Sequence, residues 1–364
     1  MALEVVERYE QISPKAYEHP ADRAATSALA SIPLMDKVLK HLSDLGHERR
    51  FRQVIIGNSV KLGPKQVPEV WNMHVQGVQI LDLSFTPDLF VTNTPDVNAM
   101  TVGAKTPMIV VNSSLISSYQ PNEIRTVLAH EAGHVLSEHN YYTTALLLLS
   151  EFMKGSLPRS LLLGLPIRAM YLALLEWHRA AELSADRAAA LVVGDPLEPC
   201  RLLMRLAGGA VPGMNFDEFM KQSVDYQNED DLFSRHSRFW TELKMTHPFA
   251  VNRVKELTAW VQNGDYDRIR NGSYARRGYE PPPSAEFTAA VEHYKERFSL
   301  FIDRTAGDVQ RLAKQFGDWL KKRPADADAD AEASANYAQN TNNAASGFER
   351  DSNQNEGFGT EWQH

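Results

Sequence analysis

The chain has 364 residues, enough for one large or two modest domains, and its hydrophobic (43%) and charged (23%) fractions exclude a disordered or fibrous protein. Its single cysteine, Cys200, excludes an intramolecular disulfide framework and is expected to be a buried apolar residue in a reducing compartment. Residues 324–364 carry a net charge of −7 out of the chain's −8, so the remainder is nearly neutral, and nucleic acid is not expected as a partner.

The N-terminal part of the chain is predicted to be helical, and we assign residues 1–50 to an N-terminal helical segment. Alanine-rich sequence and apolar residues at helical spacing support this assignment. Residues 1–14 lack the apolar region of a secretory signal, which favours a cytoplasmic location. Short β-branched runs then predict strands at residues 54–58, 75–81 and 89–92, with a turn or loop around residues 63–68.

Another short β-branched run, at residues 108–112, comes just before the most informative helix. It indicates either a strand buried in the core or an edge strand along a cleft. In the second interpretation an extended peptide would pair with this strand, main chain to main chain.

Residues 121–139 are predicted to form an amphipathic helix with a proline in its first turn. His130 and His134 are four residues apart and share one face, so their imidazoles can bind one ion. Glu131 lies beside them and can take a proton from a water bound there. Gly133 is unfavourable in a helix, which indicates that another part of the chain approaches closely. The pattern is the signature of a zinc metallopeptidase, although a solvated helix face could carry the same residues.

A third ligand is needed to complete such a site. The metzincin layout does not apply, because the positions three and six residues after His134 hold serine and asparagine. Residues 177–190 predict a second helix on which Glu182 and Asp186 share a face. Glu182 can complete a His-His-Glu set, and Asp186 can accept a hydrogen bond from a ligand histidine. The alternative is an ordinary helix surface. His139 is expected to be exposed near the end of the first helix.

These motifs resemble those of the HtpX-like and CAAX-prenyl-protease-like zinc peptidases, a branch of the gluzincins. Residues 98–103 and 108–112 look like the family's Asn-Ala-Phe segment and the strand that borders its active site. Residues 246–248 and Arg253 are similar to its His-Pro motif and later arginine. The resemblance implies an α+β, mostly helical, gluzincin-type peptidase core with a small flanking β-sheet and C-terminal helices. It also implies one Zn²⁺ per chain.

The resemblance further implies roles for individual residues. Glu131 would be the catalytic base, and His247 would donate a hydrogen bond to the oxyanion, although His247 could instead stabilise a helix start. Asp186 and Arg253 would order the site from behind, while His178 receives no role as a ligand. The implied zinc ligands are His130, His134 and Glu182. The implied substrate-binding residues are Asn98, Ala99, Val110 and Asn112.

The stretch between the two metal motifs is strongly apolar at residues 145–149 and 160–177. The first run is too short to cross a bilayer, which needs about 20 apolar residues, and Pro166 and Arg168 interrupt the second. We therefore expect a buried or amphipathic helical hairpin that can touch a membrane peripherally without spanning it. Residues 197–245 are predicted to be helical with glycine-containing interruptions.

A proline run opens the C-terminal part of the chain at residue 281. Residues 281–323 are predicted to form a C-terminal helical segment and residues 324–364 a disordered acidic tail, which leaves residues 51–280 as the peptidase domain. The predicted function is a zinc-dependent endopeptidase that hydrolyses peptide bonds of extended or unfolded polypeptide through a metal-activated water. The alternatives are a zinc-stabilised, catalytically weak interaction protein and a membrane-surface factor.

Overall fold

The computed structural model describes residues 8–31, 47–155, 161–209, 211–228 and 249–280, with a few residues between 288 and 294. Helices predominate around one four-stranded sheet, so the predicted α+β, mostly helical fold is confirmed. The strands are β1 (Ser59–Lys61), β2 (Asp88–Thr92), β3 (Ala99–Val102) and β4 (Met108–Asn112). The helices are α1 (Pro20–Ala30), α2 (His47–Asn58), α3 (Pro68–Ile80), α4 (Ser113–Ser118), α5 (Pro121–Leu136), α6 (Asn140–Gly155), α7 (Leu161–Val193), α8 (Leu197–Gly208), α9 (Phe216–Asn228), α10 (Ala250–Gln262) and α11 (Asp265–Arg270).

The strand order in the sheet is β1-β2-β4-β3, with β2 and β4 parallel and the outer strands antiparallel to their neighbours. All five residues of β4 are buried, as expected for an apolar strand covered on both faces. The prediction of a core strand at residues 108–112 is therefore confirmed. Its alternative, an edge strand, is wrong because β4 pairs on both sides, and the edge strand nearest α5 is β3.

Two of the predicted strands are wrong. Residues 54–58 lie in α2, and residues 75–80 lie in α3. Helix α3 buries Val70, His74 and Gly77, three and four residues apart, so burial at the helical period outweighs the strand preference of its valines. The third prediction, residues 89–92, is confirmed as part of β2.

Helices α5 and α7 cross closely in the core, and small residues permit it. A Cβ atom at Gly133 would lie 2.6 Å from the Cβ of Ala188 and 3.5 Å from the Cα of Ala185. The sequence prediction that another segment approaches Gly133 is therefore confirmed. The alanines of α7 allow the two backbones to approach. This crossing brings residues 130–134 of α5 next to residues 182–186 of α7.

The apolar stretch after α5 forms the helices α6 and α7, which pack against each other. Ala145, Leu146 and Leu149 of α6 and residues 173–175 of α7 are buried, in agreement with a buried hairpin. Among the described residues, none of the helices combines the length and apolar character needed to cross a membrane.

The N-terminal residues 8–31 pack onto this core. Helix α1 lies on α7, and Asp82 holds residues 8–11 through the Arg8 side chain and the backbone N–H of Gln11 (2.6 Å). Arg277 donates to the same carboxylate at 2.9 Å, so Asp82 joins both ends of the described core.

The predicted helices in residues 197–228 are present as α8 and α9, and Cys200 is buried as expected. Residues 229–248, which include His247, and residues 295–364 lie outside the described residues. The predicted domain boundaries, the C-terminal helices and the acidic tail stay predictions.

Candidate metal centre

The two motif helices bring His130 and His134 of α5 opposite Glu182 of α7. The Nε2 atoms of the two histidines are 3.1 Å apart, and Glu182 oxygens lie 3.3 Å from the His134 Nε2 and 3.6 Å from the His130 Nε2. Tetrahedral zinc with bonds of about 2.0–2.1 Å would separate its ligand atoms by roughly 3.3 Å. The three buried residues therefore have the chemistry and the spacing to hold a metal ion.

Behind the first of these histidines lies an aspartate–arginine pair. The His130 Nδ1 is 3.1 Å from an oxygen of Asp186, and because a carboxylate only accepts, Nδ1 carries a proton and Nε2 is the nitrogen left to bind a metal ion. Arg253 of α10 donates to both oxygens of Asp186, at 2.6 and 2.7 Å. It also reaches Glu182 at 3.0 Å, so one guanidinium holds two of the acids in place.

The electrostatics of the site favour one positive charge between the two rings. Burial disfavours a charged His130, but Asp186 and Glu182 outweigh that effect and raise the pKa of His130 to about 10. Burial and the repulsion of His130 together lower the pKa of His134, despite the attraction of Glu182. For Asp186, burial is outweighed by Arg253, and the pKa of the carboxyl falls below its usual value. A proton on His130 meets this demand, and so does a metal cation that both Nε2 atoms contact.

Glu131 is held by the edge strand β3. The Thr101 hydroxyl donates to the Glu131 side chain at 2.6 Å and lies 3.2 Å from its backbone carbonyl oxygen. Both residues are buried. The carboxylate therefore has a fixed orientation next to the histidine pair, which a general base requires.

The predicted substrate-binding residues fall on two different strands. Ala99 is the first residue of β3 and is partly exposed, and Asn98 precedes it. Within the described sheet, β3 is an edge strand that pairs with β4 on one side. Val110 and Asn112 lie on the interior strand β4, where Val110 packs against Phe90 in a buried apolar cluster. Val110 and Asn112 therefore lie on a strand that pairs on both sides and leaves no free edge for a peptide.

Two residues near the site, His139 and Asp22, received no role there from the sequence. His139 is buried rather than exposed, which makes that prediction wrong, and its Nδ1 lies 2.8 Å from the Nδ1 of His134. Its Nε2 is 3.0 Å from Asp22 of α1. No local signal identified either residue, because their partners are distant in the chain. His178 lies beside Glu182, 3.6 Å from Oε1, and does not belong to the set of converging ligand atoms.

The site agrees with a comparison of the whole sequence. The model of the family described as Peptidase family M48 matches residues 65–261, more than half of the chain, and includes every residue of the His-His-Glu set. The chain belongs to peptidase family M48. The family assignment agrees with the HtpX-like resemblance, and it makes the protein a peptide hydrolase of a metal-dependent class.

Relatives of this M48 peptidase include a plant protein and bacterial proteins. The chain is 31% identical over 269 residues to the plastoglobule-localized metallopeptidase 48, chloroplastic, of Arabidopsis thaliana, covering 72% of this chain and 76% of the relative. It is 26% identical over 204 residues to a protease HtpX homolog of Helicobacter pylori, covering 49% of this chain and 62% of the relative. The chain thus spans less than two thirds of that HtpX homolog. No solved structure matches the chain.

Proposed function

We propose that this M48 peptidase is a zinc-dependent endopeptidase, with the ion held by His130, His134 and Glu182. The observation that supports this most is the convergence of two imidazole Nε2 atoms and a carboxylate within 3.1–3.6 Å of one another. Buried electron pairs at such distances are stabilised by a cation between them. A zinc ion there would supply Lewis-acid chemistry, polarising the attacking water and the scissile carbonyl.

The remaining residues divide the work of moving and stabilising charge. Glu131 would take the proton of the attacking water and deliver it to the leaving amine, and Thr101 would keep its carboxylate aimed. Asp186 would fix the tautomer of His130, and Arg253 would hold the carboxylates of Asp186 and Glu182 in position. His247 is proposed as the donor to the oxyanion on the family resemblance.

The proposed substrate is an extended or unfolded polypeptide that adds a strand to the outer edge of β3. Asn98 accepts a hydrogen bond from the backbone of Asn112, so in this antiparallel pair the backbone groups of Ala99 point away from β4. Ala99 and Met100 are partly exposed. A peptide paired there would run beside Glu131, since Thr101 of the same strand contacts Glu131.

The proposed location is cytoplasmic, with peripheral contact to a membrane. The plant relative is named as plastoglobule-localized, and Val54, Ile56 and Val60 on the neighbouring α2 and β1 are each about half exposed. Co-sedimentation of the full chain with anionic vesicles is the expected result. Recovery of all the protein in the supernatant would remove membrane contact from the proposal and leave the peptidase assignment unchanged.

The experiment for the peptidase function compares the wild type with Glu131→Gln on an unfolded protein such as reduced casein. Removing a general base should lower kcat by about 10²–10⁴-fold. Zinc content should stay the same, because Glu131 is not one of the converging ligands. Equal cleavage by both proteins would refute the role of Glu131. Zinc binding without cleavage by the wild type would favour the alternative, a zinc-stabilised interaction protein.

A further inference from the structure

The N-terminal helix α1 brings a buried carboxylate to the back of the metal centre. Asp22 is 1% exposed and lies outside residues 65–261, the part of the chain that the family model matches. Ser184 of α7 donates to it at 2.5 Å, and Thr26 lies 3.2 Å from its other oxygen. Trp177 donates in turn to Thr26 at 2.8 Å. The position of Asp22 is therefore set by α7, the helix that carries Glu182.

A sharp turn after α5 brings His139 between this carboxylate and the site. Glu138 has a left-handed backbone (φ 56°), and the N–H of His139 donates to the carbonyl of His134 at 3.0 Å. The ring of His139 thus folds back over the end of α5. Its Nε2 is 3.0 Å from Asp22, and its Nδ1 is 2.8 Å from the Nδ1 of His134.

When both rings are neutral, these contacts fix where the protons lie on them. A carboxylate can only accept, so the Nε2 of His139 carries a proton toward Asp22. In the neutral ring the Nδ1 of His139 is then an acceptor, and the Nδ1 of His134 must donate to it. The proton of His134 is thereby kept on Nδ1, and its Nε2 is left with a lone pair that faces Glu182 and His130. The opposite tautomer of His139 would direct a lone pair at the carboxylate.

We propose that Asp22 and His139 are positioning residues that hold His134 in its metal-binding tautomer, so that α1 forms part of the active site. This inference rests on the proposed function, in which His134 binds zinc. Asp186 contacts His130 directly, whereas Asp22 acts on His134 through His139. The two ligand histidines are thus oriented by separate carboxylates on two different helices.

A second metal ion is the competing explanation for the cluster of Glu18, Asp22 and His139, whose ligand atoms also lie close together. The partners of Asp22 decide against it. Its oxygens are already engaged by the hydroxyls of Ser184 and Thr26 as well as by His139. A carboxylate with these hydrogen-bond donors is suited to orienting a ring.

Two substitutions at the same position separate a positioning role from simple packing. His139→Phe keeps a ring against Trp177, whose ring centroid is 5.6 Å away, but removes both nitrogens. His139→Asn loses the ring but keeps an amide oxygen, at about the position of Nδ1, that can accept from the Nδ1 of His134. We expect His139→Phe to weaken zinc binding by about 10–100-fold, and His139→Asn to weaken it less. A packing role predicts the reverse order.

The measurement is the zinc dissociation constant of the full chain, by competition with a chromophoric chelator, alongside kcat/KM. Asp22→Asn should also weaken zinc binding, and adding it to His139→Phe should cause little further loss because both act through one path. Asp82→Asn is the matched control, since it alters another buried aspartate that holds N-terminal residues, and it should leave zinc affinity unchanged. If His139→Phe does not fold, the comparison of Asp22→Asn with Asp82→Asn decides.

Failure of this inference and failure of the proposed function give different results. A folded wild type that binds no zinc overturns the proposed function. The other result is that the wild type binds zinc, Glu131→Gln is inactive, and His139→Phe and Asp22→Asn bind zinc as tightly as the wild type. That result overturns only the role of Asp22 and His139.

Discussion

Two buried aspartates, Asp82 and Asp186, show the difference between an ion pair that holds the fold and one that serves a site. Each accepts hydrogen bonds from an arginine, and each has a pKa below its usual value because these partners outweigh the effect of burial. At Asp82 the network ends, since Arg8, Arg277 and the Gln11 backbone simply join two ends of the chain. At Asp186 it continues through His130 to an Nε2 atom that faces a second imidazole. The two aspartates therefore differ in where their hydrogen-bond networks end, on the chain ends at Asp82 and on a candidate metal ligand at Asp186.

Among substitutions that test this comparison, Asp186→Asn is expected to cause the largest loss of stability and zinc affinity. The change leaves Arg253 without its main partner and His130 without its acceptor. Breaking a buried ion pair costs about 3–5 kcal/mol, and loss of a residue that orients a ligand lowers metal affinity by about 10–100-fold. Chemical unfolding and zinc competition would measure the two effects. Asp186→Asn with wild-type zinc affinity would show that the two aspartates do not differ in kind.

Gly133→Ala tests whether the α5–α7 distance sets the site. The new Cβ would meet the Cβ of Ala188 at 2.6 Å, a backbone-anchored atom that cannot rotate away. Overpacking of this kind costs about 1–3 kcal/mol, against a gain of about 1 kcal/mol in helix propensity. We expect a lower Tm and weaker zinc binding.

The rescue for this change is a second substitution, Ala188→Gly, which removes the atom that the new Cβ would meet. Zinc affinity that recovers in the double variant would confirm the steric cause. Unchanged zinc affinity in Gly133→Ala alone would show that the helix separation is not critical.

Thr101→Val should reduce the rate and leave the metal in place. The substitution keeps the shape of the side chain but removes the hydroxyl that donates to Glu131 at 2.6 Å. A hydrogen bond to a charged group is worth about 1.5–3 kcal/mol, so kcat should fall by roughly tenfold or more. Thr126→Val is the matched control on α5, because its buried hydroxyl donates to the backbone of Asn122. Equal kcat values for the two variants would contradict the aiming role of Thr101.

Asp82→Asn is expected to have the smallest effect, confined to stability. Arg8 is largely exposed, so the loss of stability should be small, with unchanged kcat/KM and zinc content. Because the folded pKa of Asp82 is lowered, its stabilisation is complete above about pH 4 and disappears as the pH falls through that lower value. The Tm difference between wild type and variant should therefore shrink in acid. A constant difference down to pH 2 would contradict the ionic origin.

The sequence was sufficient to predict the motif helix and the shared face of His130 and His134, because both depend on local spacing. Pro121 begins α5, and Glu123 completes a capping box with Gln120, so the helix start follows from neighbouring residues alone. The close approach at Gly133 was predictable for the same reason. Strands were mistaken at residues 54–58 and 75–81, where β-branched runs suggested pleated structure. At residues 75–80 burial at the helical period selected a helix. Residues 54–58 are exposed or half-buried within α2, so burial does not account for that helix.

Asp22 and His139 were not predictable, because their partners are distant in the chain. Ser184 is 162 residues from Asp22, and an aspartate in an alanine-rich helix has no local feature that indicates burial. For His139 the cause is the left-handed turn at Glu138, a residue type for which that conformation is uncommon. Only the folded chain brings α1, α5 and α7 together.

The most direct test of the account is the zinc content of the purified full chain, measured by mass spectrometry for the wild type and for Glu182→Gln. Glu182 is the residue that joins the second helix to the two histidines. We predict one zinc per chain in the wild type and loss of most of it in Glu182→Gln, with the secondary structure retained by circular dichroism. A folded wild type without zinc, or a Glu182→Gln protein with undiminished zinc, would contradict the metal centre.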